Sequence, residues 1–268
     1  MKFHLGQYVV GDSFLHKMDP RVKVVLTIFF MVLLFFFNSW FSFGLYGAFL
    51  LIFWFASGID VKRFLQSIRP ILFLAILSFV LNAFTHEGEA IFQVSRLKVT
   101  REGIDFGLRI SLRLIYLVTT SSLFLSYTTS PLVIADALED LMSPLKRFRF
   151  PAHELSLMIS IALRFVPTIA EESENLMRAQ SSRGANYDTG GIIQRVRGLL
   201  TILVPLFVSS VQRALDLANA MEARAYFGGE GRTRLREFKF QARDAYVLLA
   251  TAILTIGVLL IERGIIVL

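Results

Sequence analysis

"VVLTIFFMVLLFFFNSWFSFGLYGAFLLIFWFAS", residues 24–57, contains no charged side chain. One helix of that length would reach ~50 Å, against a bilayer hydrocarbon core of ~30 Å. The segment must therefore fold back on itself. "NSWFS", Asn38–Ser42, is the natural turn, with Trp40 as an interfacial anchor. Two short membrane spans result, and the reading of the rest of the chain follows from them.

The composition agrees. Of 268 residues, 54% are hydrophobic and 26 are phenylalanine, whereas an ordinary soluble domain is about 45–50% apolar. Yet 18% of the residues are charged, and they cluster, so part of the chain faces water. A net charge of +7 fits cytoplasmic loops beside anionic lipid better than a nucleic-acid partner. There is no cysteine, which excludes disulfides, thiolate metal sites and cysteine nucleophiles. The opening "MKFHLGQYVVGDSFLHK" lacks a signal-peptide pattern, so the N-terminus is expected to be retained.

Outward from residues 24–57, a polar and basic segment, "GIDVKRFLQSIRP", leads to a third span over about Pro70–Thr85. A mixed-charge loop, "HEGEAIFQVSRLKVTREGIDFG", separates it from a fourth over about Phe106–Tyr127. A last span covers roughly Tyr246–Ile261. Lys2, Lys17, Arg21 and Lys23 precede the first span, and Lys62, Arg63 and Arg69 lie between the second and third. The turn at Asn38 carries none, which predicts a cytoplasmic N-terminus and, with five spans, an outside C-terminus. Arg96, Lys98 and Arg101 run against this bias, but four acids in the same loop offset them. In span three, Asn82 and Ser78 are expected to bond between helices. Arg109 and Arg113, one turn apart at the outer start of span four, read as snorkelling or paired with loop acids, or else as a contact to another membrane subunit.

Residues 128–243 hold more than half of the Lys and Arg. "SPLVIADALEDLMSPLKRF" predicts an amphipathic helix with Ser130 as N-cap and Pro131 at its first position, its stripe Leu132, Ala135, Leu138 and Leu141. A second helix is expected from about Ala152 to Gly184, with Met158, Ala162, Phe165, Ile169 and Leu176 on its apolar face and Glu171, Glu172, Glu174 and Arg178 on the wet one. A third runs from about Gly191 to Tyr226. Its apolar stretch "GLLTILVPLFVSSV" is shorter than the ~20 residues of a span, so although hydropathy alone would suggest a span, it reads as an amphipathic or interfacial helix. Pro167 and Pro205 should kink these two helices. The expected organisation is all-α: transmembrane helices 1–4 in residues 1–127, a cytoplasmic domain of three long amphipathic helices in 128–243, and a C-terminal transmembrane helix in 244–268.

Chemistry-bearing motifs are sparse. "GGEGRTR", Gly228–Arg234, lacks the spacing and the Lys-Ser/Thr end of a phosphate-binding loop and follows a helix instead of a strand. His4, His16, His86 and His153 have no ligand partner at helical spacing, so neither a metal site nor a histidine-based catalytic site is supported. His16 with Asp19 is the one near-pair, but Asp19-Pro20 reads more simply as an N-cap and N1 proline. No catalytic residue, cofactor or metal is assigned.

Two triplets recur at what read as helix ends: "SSRGA" around Arg183 and "EARAY" around Arg224. Small flanking residues let a backbone approach a surface closely, and arginine supplies a rigid charged fork for a carboxylate. Such an end is suited to an acidic groove on another protein. With the opening "SFLHKMDPRVK", Ser13–Lys23, these triplets resemble the transmembrane T component of energy-coupling factor (ECF) transporters, a family that includes the membrane permeases of cobalt and nickel uptake. The opening is similar to the family's S-x-L-H-x-L-D-P-R-x-K pattern with Met18 at the usual leucine. The triplets are similar to its two Ala/Ser-Arg-Gly/Ala motifs, with serine at Ser182 where alanine is common. The resemblance covers essentially the whole chain.

That resemblance implies a non-catalytic subunit of an ATP-driven importer in a bacterial or archaeal cytoplasmic membrane. It implies that Ser182, Arg183 and Gly184, with Ala223, Arg224 and Ala225, dock onto two ABC-type ATPases. A small membrane-embedded substrate-binding subunit would be held by the membrane helices and long-helix faces, for uptake of a vitamin or transition-metal ion. The partners are then these proteins and the lipid bilayer, with no nucleic acid. Two other classes compete. A secondary carrier binding its substrate directly predicts mid-membrane ionisable residues and inverted repeats, and neither is clear. A membrane enzyme acting on lipid needs an acidic cluster at the membrane edge, and Asp136, Glu139 and Asp140 read as a helix's polar face.

Overall fold

The structure, a computed structural model, describes residues 8, 11–94, 97–144, 151–184, 191–228, 238 and 240–262. Lys2, His4, Ala185, most of Gly228–Arg234 and the C-terminal end expected outside lie beyond the described residues. The chain divides into two compact units, Gly6–Leu138 with Glu237–Leu268, and a second centred on Glu139–Arg236.

In the first unit, α1 (Pro20–Leu33) runs into a 3₁₀ turn (Leu34–Phe36), and α2 (Trp40–Ser57) returns. The fold-back at Asn38 expected from length is present, and Ser39 caps α2 through its side chain, which accepts the Phe41 N–H. α2 ends at Gly58, whose φ of +65° is open to glycine. α3 (Val61–Thr85) begins earlier than the span read from hydropathy and continues through Pro70, so most of the polar "VKRFLQSIRP" segment is helix. The mixed-charge loop contains an antiparallel hairpin, β1 (Ala90–Val94) with β2 (Leu97–Thr100), pairing Phe92 with Val99 and Gln93 with Lys98. Ile91, Phe92, Val94 and Val99 favour strand, a preference that charge patterning concealed.

Thr100 caps α4 (Arg101–Ser121), accepting the Gly103 N–H at 3.1 Å while its hydroxyl donates to the His86 carbonyl at 2.8 Å. A π-helical stretch, Ser122–Ser126, prolongs α4. α3 and α4 pack through small residues one turn apart. A Cβ on Gly103 would meet the Asn82 carbonyl at 2.8 Å, one on Gly107 the Phe79 carbonyl at 3.0 Å, and Ser111 Oγ donates to the Ala75 carbonyl at 2.7 Å. This is the small-residue spacing that lets helices approach closely where water supplies no driving force. Asn82 and Ser78 correct the sequence expectation. Asn82 Nδ2 donates to the Ser78 carbonyl at 2.8 Å within α3, a local bond one turn back instead of one between helices.

The core is aromatic. Phe30 of α1 meets Tyr46, Phe49 and Phe124 at centroid distances of 5.7, 5.1 and 5.8 Å, within the range where tilted and edge contacts are favourable. The Tyr46 hydroxyl, buried among them, is satisfied by Thr120 Oγ1 at 2.7 Å.

α8 (Ala242–Glu262) is fastened at both ends by a carboxylate. Asp244, fully buried, accepts the Asp19 N–H at 2.9 Å and reaches back to the Gln241 N–H at 2.8 Å. Asp19 in turn caps α1, accepting the Arg21 N–H and the Arg21 guanidinium, with Nη2 at 2.8 Å. Lys23, also buried, donates to the Thr128 carbonyl and Thr129 Oγ1 at 3.2 and 3.1 Å. At the other end, Glu262 accepts the N–H groups of Asn38 and Ser39, both at 2.9 Å, and the Ser42 hydroxyl. Arg109 and Arg113 hold the same turn from α4, donating to the carbonyls of Asn38 and Phe37 at 2.6 and 2.8 Å, and Arg109 also pairs with Asp105. His16 bonds Ser13 at 2.6 Å; the side chain that takes up Asp19 is Arg21.

The second unit holds α6 (Ala152–Ser182) and α7 (Ile192–Ala223), both unbroken through Pro167 and Pro205. α5 (Pro131–Met142) leads into it, with the Ser130 carbonyl accepting its first helical bond from Ile134. Among the described residues, six helices are long and apolar enough to cross a membrane by length and composition: α2, α3, α4, α6, α7 and α8. α1, read as a span, has only 14 residues, ~21 Å, while α6, read as an amphipathic helix of the cytoplasmic domain, and α7, read as amphipathic or interfacial, meet both criteria.

Asp244→Ala would strand two backbone N–H groups and remove an acid from beside Arg21 and Lys23, a loss of about 3–5 kcal/mol. Thermal unfolding of the detergent-purified chain should then fall by about 10 °C. An unchanged Tm would show that this cluster does not hold α1 and α8 together.

Candidate docking site on the two long helices

The two small-Arg-small triplets have one backbone geometry. Arg183 is the C-cap of α6, and its N–H donates to the Gln180 carbonyl at 3.0 Å. Gly184 then turns left-handed, with φ +86°, and its N–H returns to the Ser181 carbonyl at 3.0 Å. At the end of α7, Arg224 donates to the Met221 carbonyl at 3.1 Å. Ala225, with φ +55°, donates to Glu222 at 2.9 Å, and Tyr226 donates to Met221 at 3.0 Å. The last two bonds form a Schellman ending with Ala225 at its left-handed position. The small residue after each arginine is thus set by handedness, because a larger or branched side chain is strained there.

All six residues of Ser182–Gly184 and Ala223–Ala225 are exposed. The Ser182 hydroxyl donates to the Arg178 carbonyl at 3.1 Å, which keeps the first end tidy without using the arginine. Among the described residues, no ion pair engages either guanidinium. Each positive charge also sits where the helix dipole is negative, an arrangement that stabilises the end without consuming the side chain's donors.

What holds the ends apart is a polar pin. Glu172 of α6 accepts Ser209 Oγ and Arg213 Nη2 of α7, both at 2.6 Å. From Glu172 to Ser182, and from Arg213 to Ala223, each helix projects ~15 Å beyond the pin. Tyr226, just past the end of α7, bonds His153 at the start of α6 at 3.4 Å. The helices therefore run antiparallel, and their arginines lie at opposite ends of a pair whose members are each ~45 Å long.

The sequence reading missed two features. A cavity of ≈ 480 Å³ beside the second tip is lined by Arg164, Arg224, Leu157, Ile161 and Leu217, so α6 brings a second cation to the cavity that Arg224 lines. A lone arginine in the middle of a helix gave no signal for this. His153 bonds Glu139 Oε1 at 3.1 Å through Nδ1, as well as bonding Tyr226; its three members are too far apart in sequence to be paired by spacing. A larger apolar groove of ≈ 710 Å³ lies between Val166, Ile169, Met177 and Leu206. Along α7, Leu199, Leu203, Phe207, Val211 and Leu215 recur every four residues and are all exposed, an uncovered stripe of the kind that marks a lipid or protein contact. Among the described residues, no three His, Cys, Asp or Glu side chains are arranged to hold a metal ion.

Comparison with known proteins places this geometry in context. The CbiQ family, described as a cobalt transport protein, matches residues 11–235. The chain is similar to the energy-coupling factor transporter transmembrane protein EcfT of Ruminiclostridium cellulolyticum, 42% identical over 96% of each chain. It is likewise similar to the EcfT of Acidaminococcus fermentans, 45% identical over 90% of each, and to that of Bacillus subtilis, 39% identical over 93% of this chain and 94% of the other.

The handedness at Ala225 is directly testable. Ala225→Gly relieves ~1 kcal/mol or more of left-handed strain, and Ala225→Val adds to it. Amide hydrogen exchange over residues 221–226 should slow in the glycine variant and quicken in the valine variant. The reverse order would show that α7 does not end in this motif.

Proposed function

The chain belongs to the CbiQ family, among the EcfT transmembrane components of energy-coupling factor transporters, and from that premise we propose that it carries ATP-driven motion to a substrate-binding membrane subunit. It is a bacterial polytopic membrane protein and the non-catalytic component of its transporter. In this reading, two ABC-type ATPases dock on the ends of α6 and α7, through Ser182, Arg183 and Gly184 on one and Ala223, Arg224 and Ala225 on the other. The observation that carries it is the pair of exposed arginines, without an ion pair among the described residues, built alike and set at opposite ends of a pinned antiparallel pair. Ends separated on the scale of a whole domain suit two partner molecules better than one.

Coupling follows from the same geometry. Two helices pinned at Glu172 act as levers, so displacing either end changes the angle between them. The exposed stripe of α7 and the apolar groove beside α6 supply the surface on which a small membrane-embedded substrate-binding subunit would ride. That subunit selects the cargo, a vitamin or a transition-metal ion. The Lys and Arg distribution supports a cytoplasmic N-terminus; with four spans before residue 128, both arginine ends would then lie on the side where ATP is hydrolysed.

Stranding one charge of a buried, hydrogen-bonded pair costs ~3–5 kcal/mol, or ~10²–10³-fold in affinity at one tip. Because both tips sit on one scaffold, either single Arg→Glu change should leave a complex that assembles but couples poorly. Arg183→Glu with Arg224→Glu should release the ATPases while the chain still inserts. Wild-type ATPase pull-down in that double variant would remove the docking assignment. Orientation has its own test, clean because the chain has no cysteine. An impermeant thiol reagent applied to intact cells should label Glu87→Cys, and should label Asp12→Cys only after lysis; the opposite pattern reverses the topology.

A further inference from the structure

We propose that His153 is a positioning residue for the second docking tip: by holding Tyr226 it fixes the direction in which Arg224 points. This rests on the reading of Arg224 as a docking residue. Three segments distant in sequence meet here. Glu139 lies on the last turn of α5, His153 on the first turn of α6, and Tyr226 two residues beyond Arg224. Glu139 is buried, and its Oε1 lies 3.1 Å from His153 Nδ1. His153 Nε2 lies 3.4 Å from the Tyr226 hydroxyl. A carboxylate only accepts, so Nδ1 carries its hydrogen toward Glu139, and Nε2 is left to accept the Tyr226 O–H. The carboxylate fixes both ring orientation and tautomer, and the ring then receives the tyrosine.

The tip needs such a brace. Ala225 holds a left-handed φ that alanine adopts at a cost. Beyond it the chain offers little packing, since Phe227 is 91% exposed. Arg224 has no ion pair of its own among the described residues. Tyr226, half-buried, is the first side chain after the turn with a bond to another helix, and the two backbone bonds to Met221 and Glu222 lie between it and Arg224. The first tip differs, because Gly184 takes its left-handed turn without strain. The two ends share a cap geometry, and among the described residues only the second is strained and braced.

The test uses the full chain in its complex. A spin label on Phe227→Cys reports tip mobility, independently of any ATPase. Tyr226→Phe, which removes one hydroxyl, and His153→Ala should both sharpen the label's spectrum, while His153→Gln, which keeps a donor and an acceptor, should largely restore it. In ATPase binding, Tyr226→Phe should weaken association by about 2–10-fold, the range for one neutral hydrogen bond. It should have no further effect once Arg224→Ala is present, yet retain its full effect beside Arg183→Ala, because only the first pair acts through one site. Unchanged label mobility in both Tyr226→Phe and His153→Ala overturns the proposal, as does a Tyr226→Phe effect fully additive with Arg224→Ala. If Arg224→Ala itself leaves ATPase binding intact, the docking assignment has failed, and so has the role of His153 in it; the label alone then still reports whether the brace exists.

Discussion

One carboxylate joins the beginnings of two helices that lie more than two hundred residues apart. Asp244 accepts the N–H of Asp19 at the cap of α1 and the N–H of Gln241 at the cap of α8. Helix starts leave their N–H groups without partners, and burial makes each such group costly unless it is satisfied. A buried acid at this junction serves both starts and lies among the charges of Asp19, Arg21 and Lys23. Glu262 repeats the solution at the far end of α8, on the start of α2. The aromatic packing of Phe30, Tyr46 and Phe124 fills the space between these fixed ends.

The signature around "DPRVK" is therefore structural. Asp19 caps, Pro20 begins the helix, Arg21 neutralises the cap, and Lys23 reaches the carbonyl of Thr128 where the chain turns toward α5. The first unit is anchored by charge, and α3 and α4 are joined by close approach through Gly103, Gly107 and Ser111, the form of packing available to helices that cannot rely on water.

In the second unit the logic is inverted. α6 and α7 bury little of their own apolar surface and are pinned by the polar contact of Glu172 with Ser209 and Arg213. A long helix with an uncovered apolar stripe is stable only in company, whether lipid or protein. Their ends spend backbone strain at Ala225 and left-handed glycine at Gly184 to stop sharply beside an arginine.

The sequence alone determined the class of molecule and the family. Thirty-odd residues without a charge must fold back within a bilayer, and the turn at Asn38 lies where length required it. α6 and α7 ended within three residues of expectation, because left-handed positions and capping residues leave marks in the sequence. The early start of α3 and the hairpin at Ala90–Thr100 were hidden, since their charges spoke for loops while backbone bonding depended on neighbours. Asn82 turned back onto its own helix, donating to the Ser78 carbonyl one turn away, where the facing residue of α4, Gly107, has no side chain to offer. The placing of Arg164 and Arg224 on one cavity, and of His153 between Glu139 and Tyr226, was decided only by tertiary structure. Periodicity relates residues three or four apart on one helix, whereas the antiparallel pairing of α6 and α7 brings together His153 and Tyr226, 73 positions apart.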